Sequence, residues 1–254
     1  MGRHPSFLFA PIPGVAATIR GMEIVSFGET CLRLRGREGI VATDAYPRIV
    51  GPTGRGLTAD IVTYSHDDGQ QTLGLSQNGN SSGSAKRKSS KNDNQRIPTS
   101  LESAFLLDSP GEFEVHHVLI NGVQTFRDDQ QGGERGSNVC FVYELDGVHV
   151  AHLGDIGHLL NQSQLGDFGE VDVVCVGIGG SLGAARAAEL VTQLDAKMIV
   201  PMAVDGAGGG ASELDRFLHE MSVAKSEPQP KLTVSSSSLP AETTVVLLDP
   251  RGRS

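Results

Sequence analysis

The sequence predicts an α/β fold, built as a four-layer α/β/β/α sandwich in which helices cover the outer faces of two β-sheets. Short apolar runs separated by glycine-containing turns fill most of the chain from residue 22 onward, as strands would. Helical spacing appears in two segments, both interleaved with strands in the second half of the chain. Strand blocks that alternate with helices favour sheets inside and helices outside.

The elements are predicted in chain order from these patterns. The predicted strands are residues 22–27, 31–35, 39–43, 59–64, 101–107, 113–125, 138–145, 147–152, 171–176, 198–200 and 243–248. The predicted helices are 182–194, which is rich in alanine, and 211–221. The Leu145-Asp146-Gly147 junction is typical of a tight hairpin. The glycine run at 177–183 fails the spacing of nucleotide-binding loops, so we interpret it as a strand-to-helix turn.

Composition predicts a single domain with one terminal extension and one low-complexity loop. Residues 22–254 form one domain, preceded by a flexible extension at 1–21. Residues 76–96 are rich in Ser, Asn, Gly and Lys, and we expect this low-complexity loop to be disordered because it has too little apolar content to pack.

Composition and charge exclude several functional classes. The 254 residues are 38% hydrophobic, which is enough for a sizeable core. The net charge is −9, and basic residues cluster only in the 76–96 loop, so a nucleic-acid partner is not expected. No apolar run is long enough to span a membrane, and we expect a cytoplasmic protein. The sequence leaves undecided whether the protein forms a homo-oligomer through an exposed strand edge or helix.

The three cysteines do not indicate a disulfide-bonded protein. Cys31, Cys140 and Cys175 each lie in an apolar, strand-like context. An odd count without paired spacing disfavours a disulfide framework. We therefore predict that they are buried core residues.

Two predicted strand ends deliver imidazole and carboxylate groups. The strand at 59–64 runs into Ser65-His66-Asp67-Asp68, and the strand at 147–152 runs into a segment ending Asp155-Ile156-Gly157-His158. A strand end that presents His beside acids is a common location for a metal or hydrolytic site. The sequence therefore places a candidate site where these two segments meet.

These segments, with others at 109–115, 133–138, 200–202 and 239–242, resemble the metallo-β-lactamase fold superfamily, in its branch of metal-dependent hydrolases. The resemblance runs from about residue 22 to the last residue. It implies the four-layer α/β/β/α architecture and a hydrolytic site with two metal ions. His152 and His158 occur in the resembled motif without being ligands, and we expect them to orient Asp155 or to cap the following turn.

The resemblance also shows how many metal ligands this chain has lost. The first family motif reads His-x-His-x-Asp-His, and of seven family ligand positions only His66 and Asp155 are unchanged. The replaced positions are Asp68, Gln70, Gln71, Arg127 and Ala203. An amide is a poor ligand, alanine supplies none, and a guanidinium repels a cation. Since a catalytic zinc site needs three protein ligands and an open position, we expect a degenerate dinuclear site and impaired catalysis.

Two alternatives remain open, and with them the question of enzymatic activity. One divalent ion (Zn, Mn or Fe) bound by His66, Asp68 and Asp155 would suit hydrolysis of an ester, amide or phosphoester, with Asp68 or Asp155 accepting a proton. Without any cofactor, Arg127 and Arg135 would instead turn the cleft into an anion-binding pocket. The expected partner is in either case a small-molecule or anionic ligand.

Overall fold

The computed structural model describes residues 21–67, 97–204, 210–224 and 226–251. The predicted flexible extension, apart from residue 21, and the predicted loop at 76–96 lie outside these residues. The strands are β1 (Met22–Gly28), β2 (Cys31–Arg35), β3 (Ile40–Thr43), β4 (Ile61–Thr63), β5 (Phe105–Leu107), β6 (Gly111–Val115), β7 (Val118–Phe126), β8 (Ser137–Leu145), β9 (Val148–His152), β10 (Val173–Ile178), β11 (Met198–Ala203), β12 (Leu232–Val234) and β13 (Thr244–Val245). The helices are α1 (Pro47–Val50), α2 (Gln162–Phe168), α3 (Ala184–Leu194) and α4 (Gly210–Glu220).

The strands form two mixed sheets. The first has the order β12-β1-β2-β3-β4-β5, and the second has the order β13-β11-β10-β9-β8-β7-β6. In the second sheet β6 to β9 pair antiparallel, whereas β9, β10, β11 and β13 pair parallel. The carboxyl ends of three parallel strands, β9, β10 and β11, therefore meet at one edge of that sheet.

Three apolar clusters hold the layers together. The first lies between the two sheets and includes Leu34, Phe141 and Val200. The second lies between the second sheet and its helices, where Leu190 of α3 and Phe217 of α4 pack inward. The third covers the outer face of the first sheet. This arrangement confirms the predicted sandwich, because apolar side chains separate every pair of layers.

The outer layers differ in how much helix they contain. Three helices, α2 to α4, pack on the second sheet. The first sheet is instead covered by the four-residue α1 and by 3-10 turns at Gly54–Gly56 and Thr99–Leu101. None of the described helices is long and apolar enough to cross a membrane.

Most predicted elements are present, with three kinds of difference. The strand predicted at 101–107 is reduced to β5, since its first residues complete a 3-10 turn. The strand predicted at 113–125 is divided into β6 and β7 by a two-residue turn at His116 and His117, whose φ angles are 51° and 65°. Hairpin turns of this kind favour Asn-Gly, so the His-His pair gave no turn signal. The structure also adds α2 and β12, which the sequence patterns did not predict.

The cysteines are free and fully buried, as predicted. Burial raises the pKa of Cys140 and of Cys175 to about 12. Because the thiolate is the reactive form, these thiols are inert core residues.

Candidate site at the strand ends

His66 and Asp155 lie on the two strand ends where the sequence placed the candidate site. His66 follows β4 and forms an isolated bridge with Asn138 of β8, while Asp155 follows β9. Both side chains are buried, with 4% and 6% of their surface exposed. His66 pairs with Asn138, and the Asn138 Oδ1 accepts a hydrogen bond from the Asp155 backbone N–H at 3.1 Å, so the fold brings these two residues together.

A buried network orients His66. Asp44, which is fully buried, accepts hydrogen bonds from the backbone N–H and the Oγ of Ser65, each at 2.7 Å. Ser65 Oγ lies 2.7 Å from His66 Nδ1, and the Tyr46 hydroxyl donates to the His66 carbonyl. Burial lowers the pKa of His66, and this effect outweighs the charges of Asp44 and Asp155, which raise it. The imidazole is therefore favoured in its neutral form.

Asp155 is satisfied by protein donors alone. Its Oδ2 receives Arg127 Nε at 2.8 Å, Arg127 Nη2 at 2.7 Å and Ser181 Oγ at 2.8 Å. Its Oδ1 receives the Ser181 backbone N–H at 2.7 Å. Each carboxylate oxygen offers about two lone-pair positions, so these donors fill Oδ2, whereas Oδ1 keeps one of its two positions.

Arg127 contacts three segments of the chain around Asp155. Besides the ion pair, its Nη1 donates to the Asp67 carbonyl at 3.1 Å and to the Arg135 carbonyl at 3.4 Å. Its side chain is 22% exposed and that of Asp155 is 7% exposed. Arg127 therefore links the end of β4, the 127–136 loop and the end of β9 through one guanidinium.

Asp128 shapes the loop that carries Arg127. It accepts four backbone N–H groups, from Gln130, Gly132, Glu134 and Arg135, at 2.6 to 3.1 Å. Burial raises the pKa of Asp128, but these four hydrogen bonds outweigh it and hold the pKa below its ordinary value. A fixed loop leaves the Arg127 side chain few alternatives to its contact with Asp155.

Among the other predicted site residues, Arg135 joins this network only through its backbone. Asp68 lies outside the described residues, so its predicted role stays a prediction. Arg135 is exposed, and its side chain forms no ion pair with a described residue. The expectation that the two flanking histidines orient Asp155 is not met. His152 Nε2 pairs with the Thr30 carbonyl at 2.8 Å, and His158 Nε2 accepts from the Phe126 N–H at 3.0 Å, so neither hydrogen-bonds Asp155.

The sequence prediction missed Ser181, which lies in the glycine run after β10. That run is the predicted strand-to-helix turn, and Glu213 of α4 accepts from the Ala184 N–H at 3.0 Å where α3 begins. Only the order of the strands in the sheet could have indicated Ser181. Because β9 and β10 are parallel neighbours, the residues that follow them lie side by side, which places Ser181 against Asp155.

The site residues within the described ranges do not fit a dinuclear metal centre. Protein donors fill Asp155 Oδ2, Arg127 places a fixed positive charge against it, and the Ala203 side chain has no ligand atom. Within the described ranges, no three His, Cys, Asp or Glu side chains are grouped so that they would hold a metal ion. Catalytic zinc sites use three such ligands and keep one position for water.

Comparisons with known proteins agree with the fold. The family model described as the beta-lactamase superfamily domain matches residues 23–203, which is more than half of the chain. A search of curated proteins found no match. A protein of Thermotoga maritima, named for an expected Zn-dependent hydrolase activity in the metallo-β-lactamase superfamily, is 28% identical with a TM-score of 0.63, covering 89% of this chain and 98% of that one.

Two further solved structures share the fold at lower identity. Igni18, a metallo hydrolase from Ignicoccus hospitalis, is 15% identical with a TM-score of 0.56 and covers 84% of this chain and 98% of its own. An isothiocyanate hydrolase from Delia radicum gut bacteria is 11% identical with a TM-score of 0.56 and covers 85% of this chain and 100% of its own. The family match and the two-sheet architecture together show that this chain belongs to the metallo-β-lactamase superfamily.

Proposed function

We propose that this chain is a metallo-β-lactamase-fold, hydrolase-like protein in which an internal ion pair replaces the dinuclear metal centre and catalysis by metal-activated water is impaired. The observation that carries the proposal is that Asp155 is already paired with a cation of the protein itself. The one carboxylate retained from the family ligand set is paired with Arg127, which stands where the family has a histidine. The chain has therefore exchanged a ligand for a cation at the same position.

Electrostatics supports the proposal quantitatively. A divalent ion about 4 Å from a fixed guanidinium meets a repulsion of about 8 kcal/mol at an effective dielectric constant of about 20. Since about 1.4 kcal/mol corresponds to a factor of ten in affinity, this repulsion lowers metal affinity by roughly six orders of magnitude. A metal would bind at Asp155 only if Arg127 left its three partners.

One observation keeps the single-metal alternative in view. His66 and Asp155 both contact Asn138, so the fold has not separated the two unchanged ligand positions. One ion held by His66 and Asp155, with Asp68 as a further ligand, would require Arg127 to swing away from Asp155. The anion-binding alternative is weakened at Arg127, whose charge Asp155 already neutralises, and it then depends on Arg135.

Metal content tests the proposal directly. The native protein, purified without chelator and again after incubation with Zn, Mn or Fe(II), would be analysed by mass spectrometry beside His66→Ala and Asp155→Ala. We expect well under one ion per chain, no difference between the native protein and the His66→Ala variant, and no metal-dependent turnover of nitrophenyl ester or phosphoester substrates.

The other outcomes separate the alternatives. Close to one ion per chain, lost in both variants, would establish the single-metal hydrolase instead. Two ions per chain would contradict the proposal and the assignment of the replaced ligand positions. A matched comparison of Arg127→His with Arg127→Gln isolates the guanidinium, since both remove the charge and only the first restores an imidazole. Metal uptake by Arg127→His alone would support the exchange of ligand for cation.

A further inference from the structure

Two hydrogen bonds in series join a buried carboxylate to the ring of His66. Ser65 Oγ lies 2.7 Å from Asp44 Oδ2 and 2.7 Å from His66 Nδ1. The carboxylate oxygen and the ring nitrogen are themselves 3.9 Å apart, which is too far for a direct hydrogen bond. All three residues are buried. The serine hydroxyl is therefore the link between the carboxylate and the imidazole.

The direction of both hydrogen bonds follows from the chemistry of the carboxylate. An ionised carboxylate only accepts, and a serine hydroxyl has a single proton to donate. Ser65 Oγ donates that proton to Asp44 Oδ2, so it must accept from His66 Nδ1. The Ser65 backbone N–H donates to the other carboxylate oxygen at 2.7 Å, which fixes the orientation of the Asp44 side chain.

This direction determines which nitrogen of His66 carries the proton. Burial favours the neutral imidazole, which has one N–H and one lone pair. When the proton is on Nδ1, the lone pair is on Nε2, to which no described residue donates a hydrogen bond. The Tyr46 hydroxyl donates to the His66 carbonyl, and the two rings pack with their centroids 5.4 Å apart. The ring therefore has little freedom to turn over.

We propose that Asp44 and Ser65 are positioning residues that hold His66 in the tautomer protonated at Nδ1, so that Nε2 is kept as an acceptor at the strand ends. The site beside Asp155 then retains one neutral nitrogen base in a fixed orientation. The inference goes beyond the proposed function, because the direction of these hydrogen bonds is set within the protein and is the same with or without a metal ion.

Reversing the direction of the hydrogen bonds tests the proposal, and Asp44→Asn does this. The Ser65 backbone N–H must still meet the amide oxygen, which places the amide nitrogen against Ser65 Oγ. The hydroxyl then accepts from the amide and donates to Nδ1, so the His66 proton should move to Nε2. Asparagine tolerates the left-handed φ of 44° at this position. Asp167→Asn, the same change at an exposed position of α2, is the matched control.

The measurement is the tautomer of His66, obtained by NMR from correlations between the ring protons and both ring nitrogens of a chain labelled with ¹⁵N-histidine. The sample is held with a chelator at about pH 8, above the ordinary histidine pKa of about 6.5. The His66 signals are assigned by their loss in His66→Ala. His158 is an internal reference for the same tautomer, since its Nδ1 lies 2.7 Å from the Leu159 carbonyl and its Nε2 accepts from the Phe126 N–H.

We expect native His66 to show at least about a tenfold excess of the form protonated at Nδ1, because the other tautomer leaves a buried hydrogen bond unmade. Asp44→Asn should invert this ratio, whereas Asp167→Asn and the His158 signals should not change. The proposal is overturned if native His66 is protonated at Nε2, or if folded Asp44→Asn keeps the proton on Nδ1. If Asp44→Asn does not fold, the native ratio alone decides. Metal content is measured separately, so a failure here is distinct from a failure of the proposed function.

Discussion

Replacing Arg127 with alanine tests whether its guanidinium stabilises the strand ends as an internal cation. The substitution removes two contacts to Asp155 and two to backbone carbonyls, and leaves a 7% exposed carboxylate with only Ser181 as donor. Removing one partner of a buried ion pair costs about 3–5 kcal/mol. Since 22% of the Arg127 side chain is exposed, we expect the lower end, about 3 kcal/mol. For a domain of this size that lowers the Tm by about 6–12 °C.

The assay is urea unfolding followed by circular dichroism, with Arg186→Ala as the matched control. Arg186 pairs with Asp129 at 2.7 and 2.8 Å, but the two side chains are 42% and 60% exposed. Exposed pairs contribute about 0–1 kcal/mol, so the control isolates burial as the source of the difference. A double-mutant cycle with Asp155→Asn is expected to show that Arg127→Ala costs less once the carboxylate charge is gone.

Chemical rescue sharpens this test. Millimolar methylguanidinium is expected to restore part of the lost Tm in Arg127→Ala, because the vacated space is lined by Asp155 and two carbonyl oxygens, and ammonium should restore less. If Arg127→Ala were no more destabilising than Arg186→Ala, the idea that an internal cation holds these loops together would be refuted.

Two further predictions concern the groups around the site. Burial lowers the pKa of His152 against the opposing charge of Asp44, so the unfolded chain binds more protons and stability should fall as the pH drops below about 6.5. Urea unfolding between about pH 7.5 and 5.5 measures this slope. The slope should become shallower in His152→Gln and keep the part that His66 contributes, whose pKa burial also lowers, and an unchanged slope would assign the effect to other groups. Gly157→Ala would place a Cβ 2.1 Å from the Arg127 carbonyl oxygen and should cost about 1–3 kcal/mol. Gly166→Ala, whose Cβ meets no atom within 4 Å, should cost nothing, and equal Tm values for the two variants would contradict the close approach.

The strand predictions succeeded where burial alone determines the pattern. The predicted strands at 31–35 and 138–145 match β2 and β8 to within one residue. In β2 buried leucines alternate with arginines, and β8 is nearly continuous in buried apolar side chains. The prediction failed at His116 and His117 because their left-handed conformation depends on the pairing of β6 with β7. It also failed at β12, a three-residue strand that exists only because β1 offers it an edge.

The candidate site was predicted in part. The sequence indicated that Arg127 stands in place of a ligand and that His66 and Asp155 remain, and the structure places all three at the same strand ends. It did not indicate that Arg127 pairs with Asp155, since 28 residues separate them along the chain. Ser181 was missed because serine in a glycine-rich turn has no special pattern of its own.

The sequence by itself determined the layered fold and the buried cysteines, because these depend on which residue types occur and at what local spacing. Only the tertiary structure decided what the remaining polar groups do. The pairing of Arg127 with Asp155 and the contact of Ser181 with the same carboxylate both depend on strands that are distant in sequence and adjacent in space. Electrostatic interactions and hydrogen bonds depend on distance in space, and the order of residues along the chain does not specify that distance.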